Sequence, residues 1–400
     1  MTRPLSPEEE AHSRAVAALL RERVSGAGGW LSFEQFMELA LYAPGLGYYS
    51  AGSVKLGPGG DFVTAPEVSD LFSRCVARQC AQVLADCGRG RREKGAREGG
   101  GEILELGAGT GCMAAVILET LAELDALPAR YSILEVSADL AERQRERLGR
   151  LPRELRDRIV WLQRLPPRPL RGVILANEVL DALPCRRFVL AGSEVRELGV
   201  GLADQGSGLL VERDAPPDEA LRSACAGLLR ELPTPLPEGY ASELCLRIAP
   251  WIAGVGACLE RGVMLLFDYG LPRAHFYHPQ RTTGTLRCHF KQRVHDDPYI
   301  NLGVQDITAW VDFTRVAEAA VSCGLDVRGF CTQAAFLLGT GLEQLLGEVT
   351  DAVEHARLAG EARRLVLPGE MGEAFKVMAL TRGCATVLEG FAIQDLRQSL

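Results

Sequence analysis

A glycine-rich segment carries the residue types best suited to binding a ligand. Its sequence is Ile103-Leu104-Glu105-Leu106-Gly107-Ala108-Gly109-Thr110-Gly111. Glycine is needed where a backbone turns sharply and comes close to a ligand with no side chain between them. The open N–H groups at the start of a helix favour polar or anionic ligand groups. Because an apolar strand pattern precedes these glycines and an amphipathic helix pattern follows them, we predict a ligand-binding loop between a strand and a helix.

An acidic residue at the end of the next predicted strand gives a second, independent signal. This strand runs from Tyr131 to Glu135, and its last residue follows Gly111 by 24 residues. A carboxylate at this position can accept two hydrogen bonds from a ribose diol. Alternatively, Glu135 only precedes the N-cap of a helix that begins after Ser137. The agreement of strand end, acid and spacing favours the ribose-binding role.

The spacing of the glycines separates two classes of nucleotide site. A nicotinamide-dinucleotide fingerprint, Gly-x-Gly-x-x-Gly, would require its third glycine at the position of Cys112. The spacing found is Gly-x-Gly-x-Gly, with Glu105 two residues before the first glycine. The sequence therefore disfavours a nicotinamide-dependent oxidoreductase.

Polar residues also end the fourth predicted strand, in the segment Leu175-Ala176-Asn177-Glu178-Val179-Leu180-Asp181-Ala182-Leu183-Pro184. In an open α/β sheet, ligands lie outside the carboxyl ends of the central strands. We therefore expect Asn177 and Glu178 to face a bound ligand. Asp181 either joins them or stabilises a short helical turn, and the sequence leaves both roles open.

The composition limits the class of protein that positions these residues. The chain has 400 residues, of which 47% are hydrophobic and 24% are charged, as in ordinary globular proteins. Its formal net charge of −8 gives no basic footprint for nucleic acid or for an anionic membrane. The 12 cysteines contain no Cys-x-x-Cys pair, which favours free thiols over disulfides or a zinc site.

The first residues and the longest apolar run bear on the cellular location of the protein. Glu8, Glu9 and Glu10 lie near the N-terminus, where no apolar signal region and no Arg-rich transit pattern is visible. The longest aliphatic stretch, near Val263–Phe267, is too short to cross a bilayer. These observations predict a cytoplasmic protein with no membrane partner.

Strands that alternate with helices after residue 102 predict a parallel α/β sheet. We expect a helical N-terminal region with a lid loop at 1–87, containing capping boxes at Ser6–Glu9 and Ser32–Gln35. Residues 88–101 are an Arg- and Gly-rich stretch, interpreted as a solvated linker, with an RNA contact as the alternative. We expect a ligand-binding half of the sheet at 102–184, an inserted subdomain at 185–261, and the rest of the sheet domain at 262–400. Helices are expected near 241–260 and near Ile307–Ser322.

The motifs together resemble the MidA-like family of class I S-adenosylmethionine-dependent methyltransferases. The resemblance covers about residues 30–380 and is carried first by the segments 60–69, 105–111 and 176–184. Further matching motifs are Gly47-Tyr48-Tyr49, Phe267-Asp268-Tyr269-Gly270, Gly284-Thr285-Leu286-Arg287, His295-Asp296-Asp297-Pro298, Gln305-Asp306-Ile307-Thr308 and Met371-Gly372-Glu373. Residues 88–101 depart from the family pattern.

The resemblance implies a Rossmann-like, mostly parallel, seven-stranded sheet, with N-terminal and inserted elements that cover the substrate. It implies S-adenosyl-L-methionine as the methyl donor. The loop 107–111, which includes Ala108 and Thr110, would pass around the donor. Asn177 would also bind the donor. Glu105 would hold the methionine ammonium, directly or through water, and Glu135 would hold the ribose hydroxyls.

The acceptor is less closely defined than the donor. A family member in mitochondria methylates an arginine on a subunit of respiratory complex I, which implies a protein substrate and a larger complex as partner. A guanidinium, with a pKa above about 12, needs carboxylates that orient it and take up its proton. The candidates are Asp61, Glu67, Glu178 and Asp181. Thr64-Ala65-Pro66-Glu67 can also be an ordinary helix cap, with or without a role in the site.

Two alternatives concern the class of function. A catalytically idle methyltransferase-like fold that acts as an assembly or scaffold factor would have the same fold. Retention of Glu105, the three glycines and Glu135 favours a working donor site over that alternative. His289, His295, Asp296 and Asp297 do not have the spacing of metal ligands on a helix face, so no metal is assigned.

Overall fold

The computed structural model of the protein describes residues 4–51, 63–88, 101–192, 194–203 and 208–400. The chain divides into two compact units. The first unit contains Met1–Phe62, Leu180–Ile248 and Leu271–Asp312. The second unit contains Val63–Val179, Ala249–Gly270 and Phe313–Leu400. Most of the expected linker at 88–101 lies outside the described residues.

The helices, in chain order, are α1 (Pro7–Gly26), α2 (Phe33–Tyr42), α3 (Ala65–Val68), α4 (Asp70–Gly88), α5 (Cys112–Glu123), α6 (Ala138–Leu148), α7 (Arg153–Arg156), α8 (Glu219–Glu231), α9 (Ile248–Gly256), α10 (Arg273–Phe276), α11 (Phe313–Ser322), α12 (Gln333–Gly339), α13 (Leu342–Gly347), α14 (Ala352–Val366) and α15 (Met371–Ala374). Two short 3₁₀ turns follow at Glu389–Phe391 and Arg397–Ser399. No helix in the described ranges is both long enough and apolar enough to cross a membrane.

The strands, in chain order, are β1 (Trp30–Ser32), β2 (Glu102–Leu106), β3 (Arg130–Leu134), β4 (Ile159–Leu162), β5 (Leu170–Asn177), β6 (Arg186–Ala191), β7 (Glu194–Leu202), β8 (Leu210–Ala215), β9 (Ala241–Leu244), β10 (Leu259–Leu271), β11 (Arg287–Phe290), β12 (Arg293–His295), β13 (Asp306–Thr308), β14 (Val311–Asp312), β15 (Asp326–Thr332) and β16 (Phe375–Arg382).

The second unit is built on a mostly parallel sheet. Its main path, as far as the chain is described, has seven strands in the order β15-β16-β10-β5-β2-β3-β4. The strands from β10 to β4 are parallel to one another, and β16 is antiparallel to both of its neighbours. The first strand, β2, lies between β3 and β5, so the strand order reverses there. The predicted Rossmann-like, mostly parallel sheet is confirmed.

The strands of this sheet are apolar because helices cover both faces of a parallel sheet. Side chains of the central strands pack with those of α4 and α5 in one buried core. Phe267 lies at its centre, with edge-on contacts to Phe72 at 5.3 Å and to Phe336 at 5.2 Å between ring centroids. The core fixes the central strands, so their carboxyl ends form a rigid platform.

The first unit contains antiparallel sheets. One has the order β1-β7-β6-β9, with β8 paired to β7, and another has the order β12-β11-β13. Both predicted capping boxes are present, at Ser6–Glu9 on α1 and at Ser32–Gln35 on α2. Within the sheet, the guanidinium of Arg186 is buried against the carboxylate of Glu197, with an Nη2–Oε2 distance of 2.6 Å.

The division of the chain differs from the expected one. The expected subdomain 185–261 is divided, since its residues up to Ile248 belong to the first unit and those from Ala249 belong to the second. The first of these parts shares its unit with N-terminal residues, because β1 pairs with β7, with Trp30 opposite Gly201. In the second unit, α4 packs on α5, and Arg261 on β10 bonds Asp86 of α4 at 3.1 Å. These contacts join residues that are far apart in the sequence, which a local pattern does not reveal.

Some local predictions are also corrected. A helix was expected over 307–322, but β13 and β14 come first and α11 begins only at Phe313. A helix was expected over 241–260, but residues 241–244 form β9, whose Ser242 pairs with Phe188 of β6. In both places strand pairing with a distant segment replaces the helix that local propensity favours.

Candidate active site

The glycine loop between β2 and α5 has a backbone that side chains disfavour. Gly107, Gly109 and Gly111 have φ angles of +66°, +55° and +78°. This left-handed region is open to glycine at little cost and strains most other residues. The N–H of Gly107 donates to the carbonyl oxygen of Leu134 at the end of β3, at 3.0 Å. The predicted sharp bend is present, and it is tied to the neighbouring strand.

The predicted ribose acid lies beside this bend. The carboxylate of Glu135 accepts hydrogen bonds from the Ser137 N–H at 2.9 Å and from Nε2 of Gln144 at 3.0 Å. The same Nε2 donates to the carbonyl oxygen of Gly109 at 2.9 Å. One side chain thus joins the two strand ends and holds Glu135 beside the glycine loop.

Glu105 is more enclosed than the sequence indicated. Its side chain is 1% exposed, and its Oε2 accepts a hydrogen bond from the hydroxyl of Tyr131 at 2.7 Å. Burial raises the pKa of Glu105 to about 7, against the effect of the Tyr131 hydrogen bond, which lowers it. A carboxyl group with this pKa is partly protonated near neutral pH.

A third carboxylate lies where β5 ends. Glu178 has a φ of +53°, an uncommon backbone conformation for a non-glycine residue. Its Oε1 accepts from the side-chain amide of Asn177 at 3.2 Å, and its Oε2 accepts from the hydroxyl of Tyr269 at 2.8 Å. Its N–H donates to the carbonyl of Phe267 on β10 at 2.9 Å. Strained backbone and two side-chain donors together fix this half-buried carboxylate.

Asn177 has an acceptor atom that nothing in the described chain uses. Its Oδ1 is buried and has no hydrogen-bond partner among the described residues. Leaving a buried polar atom unsatisfied costs about 1–3 kcal/mol, and such an atom in a site suits a hydrogen-bond donor of a ligand.

Glu67 lies against the glycine loop. The hydroxyl of Thr110 donates a short hydrogen bond to Oε1 of Glu67, and the thiol of Cys112 contacts the carbonyl oxygen of Pro66 at 3.3 Å. Thr64 is the N-cap of α3 but makes no side-chain cap hydrogen bond. The ordinary-cap alternative for this segment therefore lacks its defining hydrogen bond, and Glu67 is joined to Thr110 instead.

Two further carboxylates were predicted for the acceptor, Asp61 and Asp181. Asp61 lies outside the described residues. Asp181 belongs to the first unit, where it is 4% exposed and its carbonyl oxygen accepts from the N–H of Ala309 at 3.0 Å. It lines a cavity of about 10 Å³, which also borders Glu243 and Tyr277. This is room for about one water molecule.

The histidines of the first unit do not form a metal centre with neighbouring ligands. Across the residues that the structure describes, no cluster of three or more potential metal ligands is found. Burial lowers the pKa of His289 to about 4. His289 is paired with Val294 across the β11–β12 ladder, whereas His295 lies opposite Cys288.

Sequence reasoning missed three residues of the site. Val136 directly follows Glu135 and is 79% exposed, so its apolar side chain is open to a ligand that binds beside Glu135. Gln144 donates a hydrogen bond to the carboxylate of Glu135, and Tyr269 donates one to the carboxylate of Glu178. A buried polar residue in the apolar stripe of α6 was a usable signal for Gln144, but the contact of Tyr269 with Glu178 depends on strand order.

These features fit S-adenosylmethionine. An exposed apolar side chain beside a ribose-type acid suits a nucleoside, and a side-chain-free bend suits close approach of the donor. The unsatisfied Oδ1 of Asn177 and the half-buried Glu67 offer acceptors for a cationic amino-acid end. The residues present therefore suit a nucleoside with a positively charged tail.

Comparison with known proteins gives the same result. Residues 75–331 match the family described as "Putative S-adenosyl-L-methionine-dependent methyltransferase". A likely methyl transferase from Burkholderia thailandensis, crystallised with S-adenosyl-homocysteine, is 40% identical to this chain. The match covers 100% of both chains and has a TM-score of 0.92.

Curated relatives lie further away. The mitochondrial protein arginine methyltransferase NDUFAF7 of Danio rerio is 26% identical over 396 residues, covering 88% of this chain and 84% of the relative. Its mitochondrial homolog in Drosophila melanogaster is 27% identical, covering 95% of this chain and 89% of the relative. Because these relatives are mitochondrial, the prediction of a cytoplasmic location is wrong.

The matched family model covers more than half of the chain, and the bacterial relative matches it from end to end. The chain belongs to the MidA-like family of S-adenosylmethionine-dependent methyltransferases and is an enzyme that uses S-adenosyl-L-methionine as its methyl donor.

Proposed function

We propose that this enzyme methylates a protein side chain and that the acceptor is the guanidinium of arginine. The observation that carries the proposal is the fixed carboxylate of Glu178, which lies half-buried at the end of β5 between Asn177 and Tyr269. The names of the curated relatives, protein arginine methyltransferases, support the same acceptor.

The chemistry explains why a carboxylate is needed. Bound S-adenosylmethionine supplies a methyl group attached to a sulfonium. In an in-line displacement, this methyl group passes to a nucleophile as the carbon–sulfur bond breaks. Glu178 would orient the guanidinium and take up the proton that its nitrogen loses when the new carbon–nitrogen bond forms. Alignment of this kind supplies on the order of 7–11 kcal/mol in favourable cases.

The donor side of the proposal uses the residues around the bend. We infer that Gly107, Ala108, Gly109, Thr110 and Gly111 pass around the donor and that Glu135 accepts hydrogen bonds from its ribose hydroxyls. The amide of Asn177 would meet the donor through its unsatisfied Oδ1.

Two carboxylates are candidates for binding the ammonium group of the donor. Glu105 was expected to hold it, but this side chain is 1% exposed and its pKa is raised to about 7 by burial. Glu67, expected at the acceptor, is half-buried and bonded to Thr110 on the glycine loop. We therefore assign Glu67 to the donor, with Glu105 as a buried support beneath the loop. Asp61 and Asp181 stay predictions for the acceptor.

The test uses purified enzyme, S-adenosylmethionine with a deuterated methyl group, and a protein extract as acceptor. Acid hydrolysis and mass spectrometry of the products then identify the labelled amino acid. We expect label in methylarginine with the wild-type enzyme, and a large decrease with Glu178→Gln at equal donor binding. Label in lysine or in small molecules would contradict the arginine assignment, and no label at all would contradict the protein acceptor.

A further inference from the structure

Gln144 is a polar residue in a buried position beside the donor site. It belongs to α6, where it shares the buried face with Leu140, Ala141 and Leu148. Its side chain packs under the glycine loop, since a Cβ added to Gly111 would lie 3.4 Å from its Cγ. A buried amide costs free energy unless its hydrogen bonds are made, so its partners define its role.

The orientation of this amide is fixed by chemistry. The indole N–H of Trp161 on β4 lies 3.1 Å from Oε1 of Gln144. An indole nitrogen can only donate, so the atom that faces it must be the amide oxygen. The Nε2 group must then face the other way, toward the carbonyl oxygen of Gly109 and the carboxylate of Glu135.

Both of these groups are acceptors, at 2.9 Å and 3.0 Å from Nε2. An amide NH₂ has two hydrogens, one for each acceptor. Trp161, Gln144 and Glu135 thus form a chain of hydrogen bonds that runs from β4 to the end of β3, with a branch to the glycine loop.

We propose that Gln144 is a positioning residue of the donor site, which holds the ribose-binding carboxylate of Glu135 at a fixed distance from the glycine loop. Trp161 extends this role to β4 by fixing the amide orientation. The proposal rests on the proposed donor site, in which Glu135 binds the ribose. Gln144 touches Glu135 and the loop and acts on the donor through them.

The test compares two ligands on matched variants by calorimetry: S-adenosylhomocysteine and its 2′-deoxyribose analogue. Gln144→Met keeps the length of the side chain and removes both donors, so packing is largely kept. We expect S-adenosylhomocysteine to bind about tenfold more weakly, the loss typical of a hydrogen bond to a charged group. The analogue, which lacks a hydroxyl for Glu135 to bind, should lose much less.

Further variants separate positioning from general damage. Gln144→Glu keeps an acceptor for Trp161 but places a second carboxylate beside Glu135, so its loss should exceed that of Gln144→Met. In a Glu135→Ala background, Gln144→Met should have little further effect. Glu142→Gln, on the exposed face of the same helix, is the control and should bind as the wild type does. Thermal unfolding without ligand reports whether each variant is folded.

The outcomes are distinct. Equal losses for the two ligands, or additive losses with Glu135→Ala, would overturn the positioning role, because Gln144 would then act on the structure in general. Unchanged affinity in Gln144→Met would also overturn it. If the wild-type enzyme bound neither ligand, the proposed donor site itself would fail instead.

Discussion

The hydroxyl of Tyr269 lies 2.8 Å from Oε2 of Glu178, and this hydrogen bond crosses from β10 to the end of β5. The Tyr269 ring is itself packed on Phe375, with ring centroids 4.0 Å apart. A packed aromatic ring has few conformations available, so its hydroxyl is a fixed donor. The carboxylate that we assign to the acceptor is therefore held by a residue from a different strand.

Replacing this carboxylate tests its assignment. Glu178→Gln keeps the shape of the side chain and removes its charge and basicity. We expect kcat to fall about a hundredfold or more, as for loss of a general base, while the affinity for S-adenosylmethionine stays within about twofold because the glycine loop and Glu135 are intact. Steady-state kinetics and calorimetry measure the two effects. Normal turnover would show that the acceptor pocket lies elsewhere.

Tyr269→Phe tests the same carboxylate with a smaller change. It removes one hydrogen bond to a charged group and keeps the packing on Phe375, so we expect a fall in kcat of about tenfold. A fall as large as that of Glu178→Gln would mean that Tyr269 itself touches the reacting groups, which our assignment does not predict.

The glycine loop makes a steric prediction. Gly109 has a φ of +55°, and a β-branched residue there carries strain on the order of 1–3 kcal/mol. We expect Gly109→Val to lose donor binding while the protein stays folded, because the sheet core does not include this residue. Calorimetry with S-adenosylhomocysteine and a thermal unfolding curve check the two halves. Affinity equal to that of the wild type would remove the loop from the site.

The sequence predicted the sharp bend of the glycine loop and the position of Glu135 beside it because their signals are local. The glycines, the following helix and the acid at the end of β3 all lie within one strand-helix-strand stretch, and each is required by the backbone itself. The pairing of Phe267 with Asn177, which brings Tyr269 to Glu178, joins strands about 90 residues apart. No local sequence pattern predicts a contact between strands so far apart. Tyr269 was therefore recognised as part of a motif, but its contact with Glu178 was not predicted.

The first unit was predicted least well for the same reason. Its sheet combines β1 from the N-terminal segment with β7 and β9 from later residues. Residues 241–244 and 307–308 were included in predicted helices, because their strand character depends on partners elsewhere in the chain. Periodicity detects an element with one buried face, but it does not identify the segment that buries it.

The assignment of Glu67 to the donor predicts a difference between two ligands. S-adenosylhomocysteine has one cationic group, its ammonium, and methylthioadenosine lacks the whole amino-acid part. Glu67→Gln should therefore weaken S-adenosylhomocysteine about tenfold and leave methylthioadenosine unchanged. Glu105→Gln in the same assay is the matched comparison. A selective loss in that variant, and none in Glu67→Gln, would return the ammonium to Glu105.

Glu105 also predicts how stability changes with pH. Burial raises its pKa from 4.5 to about 7, so between these values the folded protein binds more protons at this group than the unfolded chain does. The contribution of Glu105 to the free energy of unfolding therefore falls as the pH rises from about 4.5 to about 7, and it is lowest above that range. A shift of this size corresponds to about 3 kcal/mol.

Glu105→Gln removes this titration and keeps an acceptor for the Tyr131 hydroxyl. We expect the variant to be more stable than the wild type at pH 8 and to show a weaker fall in stability between pH 5 and pH 7, measured by urea unfolding at each pH without ligand. Glu123→Gln, an exposed carboxylate on α5 that is ion-paired with Arg74, changes the net charge equally and serves as the control. If the stability curves of wild type and Glu105→Gln ran parallel across this range, Glu105 would be ionised in the folded protein throughout, and it would again be a candidate for the donor ammonium.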